Sequence, residues 1–87
     1  MHDTYLLNKI SKSLKDICLE SKIEKINQFT LAVNHNSHIN EENLREHLKN
    51  NNAELIGSAL KIYIVREDIE DHTAIIHSIQ GELLNHE

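Results

Sequence analysis

The sequence predicts an α+β fold in which two helices pack on one face of a small three-stranded mixed sheet. Three observations predict it: an apolar stripe with helical period near the start of the chain, three short segments with strand alternation, and a second helical segment between the first two strands. The predicted order is therefore helix, strand, helix, strand, strand. A chain of 87 residues has room for one domain, residues 1–87.

The first helix is predicted from Thr4 to about Lys22. Its apolar residues recur at steps of three and four, which places them on one face of a helix. Asp3 or Thr4 can cap its N-terminus, because a side-chain oxygen there accepts from the first free amides. The residues of the stripe are Leu6, Leu7, Ile10, Leu14, Ile17 and Cys18.

The first strand is predicted from Lys25 to Asn34. Phe29, Leu31 and Val33 alternate with Gln28, Thr30 and Ala32, as in a strand with one buried face. A polar loop separates this strand from the next element.

The second helix is predicted from Glu41 to Asn50. Asn40 is a favourable N-cap residue. Ile39 and Leu44 have the spacing of a hydrophobic staple, which fixes the direction in which the chain enters a helix. The asparagine run 50–52 forms helix poorly and is expected to end this element.

Two further strands complete the predicted sheet. Residues 60–66 alternate clearly between apolar and polar, and residues 73–80 form the third strand after an acidic turn at 67–71. The helical link lets the first two strands run parallel through a right-handed crossover. The third strand is expected to form an antiparallel hairpin with the second, and residues 83–87 a loose tail.

Composition excludes several function classes. The net charge is −5 and the lysines are interleaved with glutamates and asparagines, which argues against nucleic-acid binding. No apolar run is long enough to span a bilayer, and the first residues do not have the apolar stretch of a signal peptide. A single cysteine fits a reducing compartment, so we expect a cytoplasmic protein without membrane contact.

The sequence also argues against an enzyme. Gly57 and Gly81 are the only glycines, so there is no glycine-rich phosphate loop, and no nucleophile elbow is present. Cys18 lies on the apolar stripe of the first helix, where a small buried hydrophobe is a better interpretation than a nucleophile.

Two sets of residues are candidate metal ligands. The Met1 amine, the amide of residue 2 and the His2 imidazole form adjacent chelate rings that suit square-planar Ni(II) or Cu(II), and Asp3 can complete or support this shell. His35 and His38 lie three residues apart in the polar loop and could share a metal; the alternative is that they are solvent-exposed histidines. The chain has seven histidines in all: His2, His35, His38, His47, His72, His77 and His86.

Several stretches, in order, resemble the HypA family of hydrogenase and urease nickel-insertion proteins. Met1-His2-Asp3 resembles the family's Met-His-Glu start, and residues 25–33 resemble its first strand. Residues 37–48, SHINEENLREHL, resemble its loop and second helix. Residues 53–67, AELIGSALKIYIVRE, and 75–82, IIHSIQGE, resemble its later strands.

The resemblance implies a nickel-binding domain that delivers its ion to a hydrogenase or urease precursor with the help of a GTPase. It implies that His2 is a nickel ligand, with the Met1 amine and Asp3 close by. Two features depart from the family. The Cys-x-x-Cys pairs of its zinc domain are missing between strands two and three, so no structural zinc is expected, and position 3 is Asp rather than Glu.

A nickel-binding accessory protein that holds the ion transiently is therefore the leading hypothesis. The alternative is an interaction or regulatory module that keeps the HypA-like fold without metal, with a homodimer as one form of it. The exposed edges expected of a three-stranded sheet motivate this alternative.

Overall fold

A computed structural model describes residues 4–84 and has the predicted order of elements. The prediction of an α+β fold is confirmed. Helix α1 spans Thr4–Ser21, strand β1 Ile23–Asn34, helix α2 Glu41–Asn51, strand β2 Ile56–Glu67 and strand β3 Ala74–Leu83. Strand β3 thus includes the first residue of the predicted tail, and residues 85–87 lie outside the described part of the chain.

The sheet is mixed, and β1 is its central strand in the order β2-β1-β3. Strand β1 runs parallel to β2, as predicted, and antiparallel to β3. The predicted hairpin between the second and third strands is wrong, because β3 pairs with β1 instead. The connection 68–73 crosses from one edge of the sheet to the other, a distance of about 10 Å for two strand spacings, which six residues span easily.

Strand β1 has buried side chains on both of its faces, which fits its central position in the sheet. Phe29, Leu31 and Val33 are fully buried against the helices, and Ala32 on the opposite face is also fully buried. A strand with buried residues on both faces suits the middle of a sheet better than an edge.

Both helices pack on one face of this sheet and share one core with it. In α1 the buried stripe follows the predicted periodicity, and in α2 it consists of Leu44 and Leu48. The remaining core comes from the inward side chains of the strands. The core residues are Leu6, Leu7, Ile10, Leu14, Cys18, Ile23, Ile26, Phe29, Leu31, Val33, Ile39, Leu44, Leu48, Leu60 and Ile62.

Helix α2 is capped at both ends by asparagines. The Asn43 backbone amide donates to Asn40 Oδ1 at 2.8 Å, and the Asn40 amide donates to Asn43 Oδ1 at 3.0 Å, which makes a reciprocal capping box. The predicted N-cap at Asn40 is therefore confirmed. At the other end Asn52 is the C-cap and lies fully buried against α1.

Ser11 and Asn52 form a buried polar pair that joins the two helices. The Ser11 hydroxyl donates to Asn52 Oδ1, and Asn52 Nδ2 donates back to the Ser11 carbonyl oxygen at 3.2 Å. Both residues are almost completely buried. Buried polar atoms are costly unless hydrogen-bonded, so this pair fixes how the end of α2 meets α1.

One close backbone contact fixes the end of β3. A side chain at Gly81 would place its Cβ 2.1 Å from the Lys25 carbonyl oxygen of β1, so no larger residue fits without moving the strands apart. Within residues 4–84, neither helix has the combination of length and apolar character that crossing a membrane would require.

Candidate functional site

The predicted ligands Met1, His2 and Asp3 lie outside the described residues. The structure describes the helix that follows them in sequence, α1. Helix α1 begins at Thr4, and its residues Leu6 and Leu7 are already buried, with 1% and 8% of their surface exposed. The chain is therefore anchored in the core three residues after Asp3 in sequence.

The second predicted pair, His35 and His38, lies in the loop between β1 and α2. Both side chains are exposed. His35 Nε2 lies 3.0 Å from Asp68 Oδ1, so this imidazole faces the connection between β2 and β3. His38 lines a shallow cavity of about 160 Å³ together with Asp71 and His72.

The two histidines thus face different parts of the same connection. Over residues 4–84, no three His, Cys, Asp or Glu side chains are arranged to hold a metal ion. The site at His35 and His38 stays a prediction, and its candidate additional donors are the side chains of the connection 68–73.

Guanidinium bonds hold the loop that carries these histidines. Arg66 donates from Nη1 to the Ser37 carbonyl oxygen at 2.9 Å and from Nη2 to the Ile39 carbonyl oxygen at 2.8 Å. The planar fork of arginine is suited to bridging several acceptors at once. This loop is therefore tied to the end of β2 by a side chain that the sequence did not single out.

The other described histidines have separate surroundings. His47 is half-buried in α2, and its Nε2 atom is buried with no hydrogen-bond partner among the described residues. His72 has a left-handed backbone with φ 64°. His77 Nε2 lies 3.1 Å from Glu67 Oε2, which joins the two edge strands across β1. His86 lies outside the described residues.

Cys18 is buried in α1, as the sequence predicted. Burial raises the pKa of its thiol, because the thiolate would lose hydration there. A raised pKa leaves less thiolate near neutral pH, and the thiolate is the nucleophilic form. These surroundings agree with the interpretation of Cys18 as a small apolar residue of the core.

Beside Cys18 lies a cavity that sequence reasoning missed. Its volume is about 260 Å³, and it forms where the end of α1, the start of β1, the α2–β2 turn and the end of β3 meet. Its walls are mainly apolar, with Leu19, Ile23, Leu55 and Leu84 beside Cys18. One sequence signal was available: Leu19 is an apolar residue that falls outside the helical stripe of α1.

The face of the sheet opposite the helices also carries apolar side chains. Val65 of β2 and Ile75 of β3 flank Ala32 in one row of the register, and Tyr63 lies beside Thr30 in the next. Tyr63, Val65 and Ile75 are 48%, 38% and 44% exposed. We call these three residues the open-face patch.

A comparison with protein-family models finds no match, and a comparison with curated proteins finds none either.

Proposed function

We propose that this chain is a nickel-binding accessory protein that holds Ni(II) through Met1, His2 and Asp3 and passes it to the precursor of a hydrogenase or another nickel enzyme. The observation that carries the proposal is the Met1-His2 pair directly ahead of α1. A terminal amine, a backbone amide nitrogen and an imidazole supply three nitrogen donors in adjacent chelate rings, a set that suits square-planar Ni(II).

Two features of the chain support transient holding of the ion. The donors come from one short segment, so a square-planar ion bound by three of them keeps a position for a ligand of the receiving protein. The segment is followed at once by helix α1, whose buried stripe starts at Leu6.

Delivery to an enzyme precursor, a GTPase partner, a cytoplasmic location and the lack of a structural zinc belong to the same proposal. Their support is the sequence resemblance to the HypA family. The α+β fold is compatible with it.

Isothermal titration of the untagged protein with Ni(II) tests the site. Intact mass first establishes that Met1 is present with a free amine. We expect His2→Ala to weaken Ni(II) binding at least about tenfold, the scale typical of losing one ligand interaction. A protein whose terminal amine is acetylated keeps His2 but loses the amine donor, and it should bind Ni(II) similarly weakly.

A matched control is the double variant His35→Ala, His38→Ala, which removes two exposed histidines and should keep full Ni(II) affinity. Equal affinity of the wild-type protein and His2→Ala would overturn the N-terminal site. Loss of binding in the double variant alone would move the metal to the loop between β1 and α2.

The second candidate function is an interaction module without metal, and the open-face patch favours it. Exposed apolar residues grouped on one surface are typical of contact with another protein. The partner that is simplest to test is a second copy of the chain. Light scattering over a range of concentrations should then show a dimer that Val65→Lys, Ile75→Lys dissociates, and a monomer at every concentration would count against it.

A further inference from the structure

The cavity beside Cys18 opens to solvent through a mouth of exposed apolar side chains. Leu19 is 78% exposed and Leu84 is 44% exposed. Apolar surface in water is unfavourable by about 25 cal/mol per Å², so an apolar molecule in this cavity would gain contact with both side chains. Part of the cavity's opening is therefore apolar.

Two lysines give the cavity a cationic side. Among residues 4–84, Lys15 and Lys22 both line it, and Glu54 is the one carboxylate that does so. Among the described residues, neither lysine ammonium group forms a hydrogen bond or ion pair with a protein side chain. Within the described part of the chain, two lysines against one glutamate leave an excess positive charge in the lining of a mainly apolar cavity, in a chain whose net charge is −5.

Lys22 also occupies a position where glycine is the usual residue. It follows the last residue of α1 and has a left-handed backbone with φ 58°. Helices commonly end in this conformation, and glycine is usual there because a Cβ atom is disfavoured. The fold uses the conformation, since the Lys22 carbonyl oxygen accepts from the Leu84 amide at 2.8 Å, but that bond does not require a lysine side chain.

We propose that this cavity binds a small aliphatic carboxylate, with its hydrocarbon chain between Leu19, Leu55 and Leu84 and its carboxylate beside Lys15 and Lys22. The volume of about 260 Å³ lies just below the range of small-molecule pockets and suits one short acyl chain. The charge of the two lysines selects a carboxylate over an alcohol or an amine. This site is separate from the proposed nickel site and does not depend on it.

The probe is octanoate, titrated into metal-free protein labelled with ¹⁵N, with octanol and octylamine as neutral and cationic analogues. We expect octanoate to shift the amide resonances of Leu19, Lys22, Leu55 and Leu84. The variant Lys15→Gln, Lys22→Gln should weaken octanoate binding about fivefold or more and leave octanol binding within about twofold, since exposed ion pairs contribute modestly.

Two single variants separate binding from folding. Lys61→Gln removes the same charge from β2, away from the cavity, and should leave octanoate affinity unchanged. Lys22→Gly removes one cationic group but suits the left-handed backbone, so its melting temperature should equal or exceed that of the wild-type protein while octanoate binds about threefold more weakly.

Three results would overturn the proposal. First, millimolar octanoate could leave the amide resonances of the cavity residues unshifted. Second, Lys15→Gln, Lys22→Gln could bind octanoate as tightly as the wild-type protein does, with octanol affinity also unchanged. Octanoate could also bind only to a chain shortened after Leu84, which would make residues 85–87 the occupant.

Discussion

Replacing Ser11 by alanine should destabilise the fold by about 2 kcal/mol, because it leaves the buried amide oxygen of Asn52 without its donor. The Ser11 hydroxyl is the donor to Asn52 Oδ1, and Asn52 is 1% exposed. Without that donor, the amide oxygen is buried and unpaired, which costs roughly 1–3 kcal/mol. Asn52→Ala loses both bonds to Ser11 and leaves a small void, so we expect about 3 kcal/mol.

The double variant Ser11→Ala, Asn52→Ala measures the coupling free energy between the two side chains, which tests the contact more directly than either single variant. With both side chains reduced to alanine, the hydroxyl and the amide oxygen are removed together, so neither is left buried without its partner. Its destabilisation should therefore be smaller than the sum of the two single effects, by about 1–2 kcal/mol, as for residues in one hydrogen-bond network. Such a coupling energy belongs to the Ser11–Asn52 contact and not to either residue alone.

Urea unfolding at equilibrium measures these free energies, and a constant slope across variants checks that they share one transition. For a domain of this size, 2 kcal/mol corresponds to a fall in melting temperature of roughly 10 °C. Ser13→Ala is the control, because Ser13 lies exposed on the same helix and has the same gain in helix propensity. If Ser11→Ala differs from Ser13→Ala by less than about 0.5 kcal/mol, or the single effects add, the buried pair does not join the helices as argued.

Three further predictions concern the strands, the buried thiol and the loop. Gly81→Ala should lower the free energy of unfolding by about 3 kcal/mol, because the new Cβ would meet a β1 carbonyl oxygen. Gly57→Ala should change it by less than about 1 kcal/mol, because the nearest atom to the new Cβ is 3.6 Å away. Similar urea midpoints for the two variants would contradict this prediction. Burial raises the pKa of the Cys18 thiol, so the unfolded chain releases this proton first as pH rises. The stability that the buried thiol contributes is therefore fully present below the ordinary thiol pKa and declines as pH rises above it. Between pH 8 and pH 10, the free energy of unfolding measured with urea should fall further for the wild-type protein than for Cys18→Ala. Arg66→Lys, which cannot bridge several carbonyl oxygens, should speed amide exchange at residues 37–39 at least about threefold, and unchanged exchange would show that the fork does not hold the loop.

The local elements were predictable because their signals lie within a few residues. The three- and four-residue steps of α1 and the N-cap at Asn40 depend on neighbours in sequence, and the structure confirms both. The pairing of β3 was not predictable in this way. A short connection favours a hairpin, and nothing local in the sequence shows that β1 has a strand on each edge. Ala32 is buried on the open face because Val65 and Ile75 flank it, which becomes visible only once the pairing is known.

The candidate sites show the same limit. The cavity beside Cys18 needs Leu19, Leu55 and Leu84 to meet, and these residues come from three distant parts of the chain. A single apolar residue outside the stripe of α1 was its only trace in the sequence. The site proposed at Met1, His2 and Asp3 depends only on the donor atoms of consecutive residues, so it can be proposed without the fold, and it stays a prediction.

The central place of β1 has a consequence for synthesis. Its antiparallel partner β3 is the last element described, so a growing chain can form α1, β1, α2 and β2 while one edge of β1 is still unpaired. Unpaired strand edges readily bind other chains. The sheet can close only after β3 has left the ribosome, so until then the strand richest in buried residues keeps one edge open to pairing with other chains.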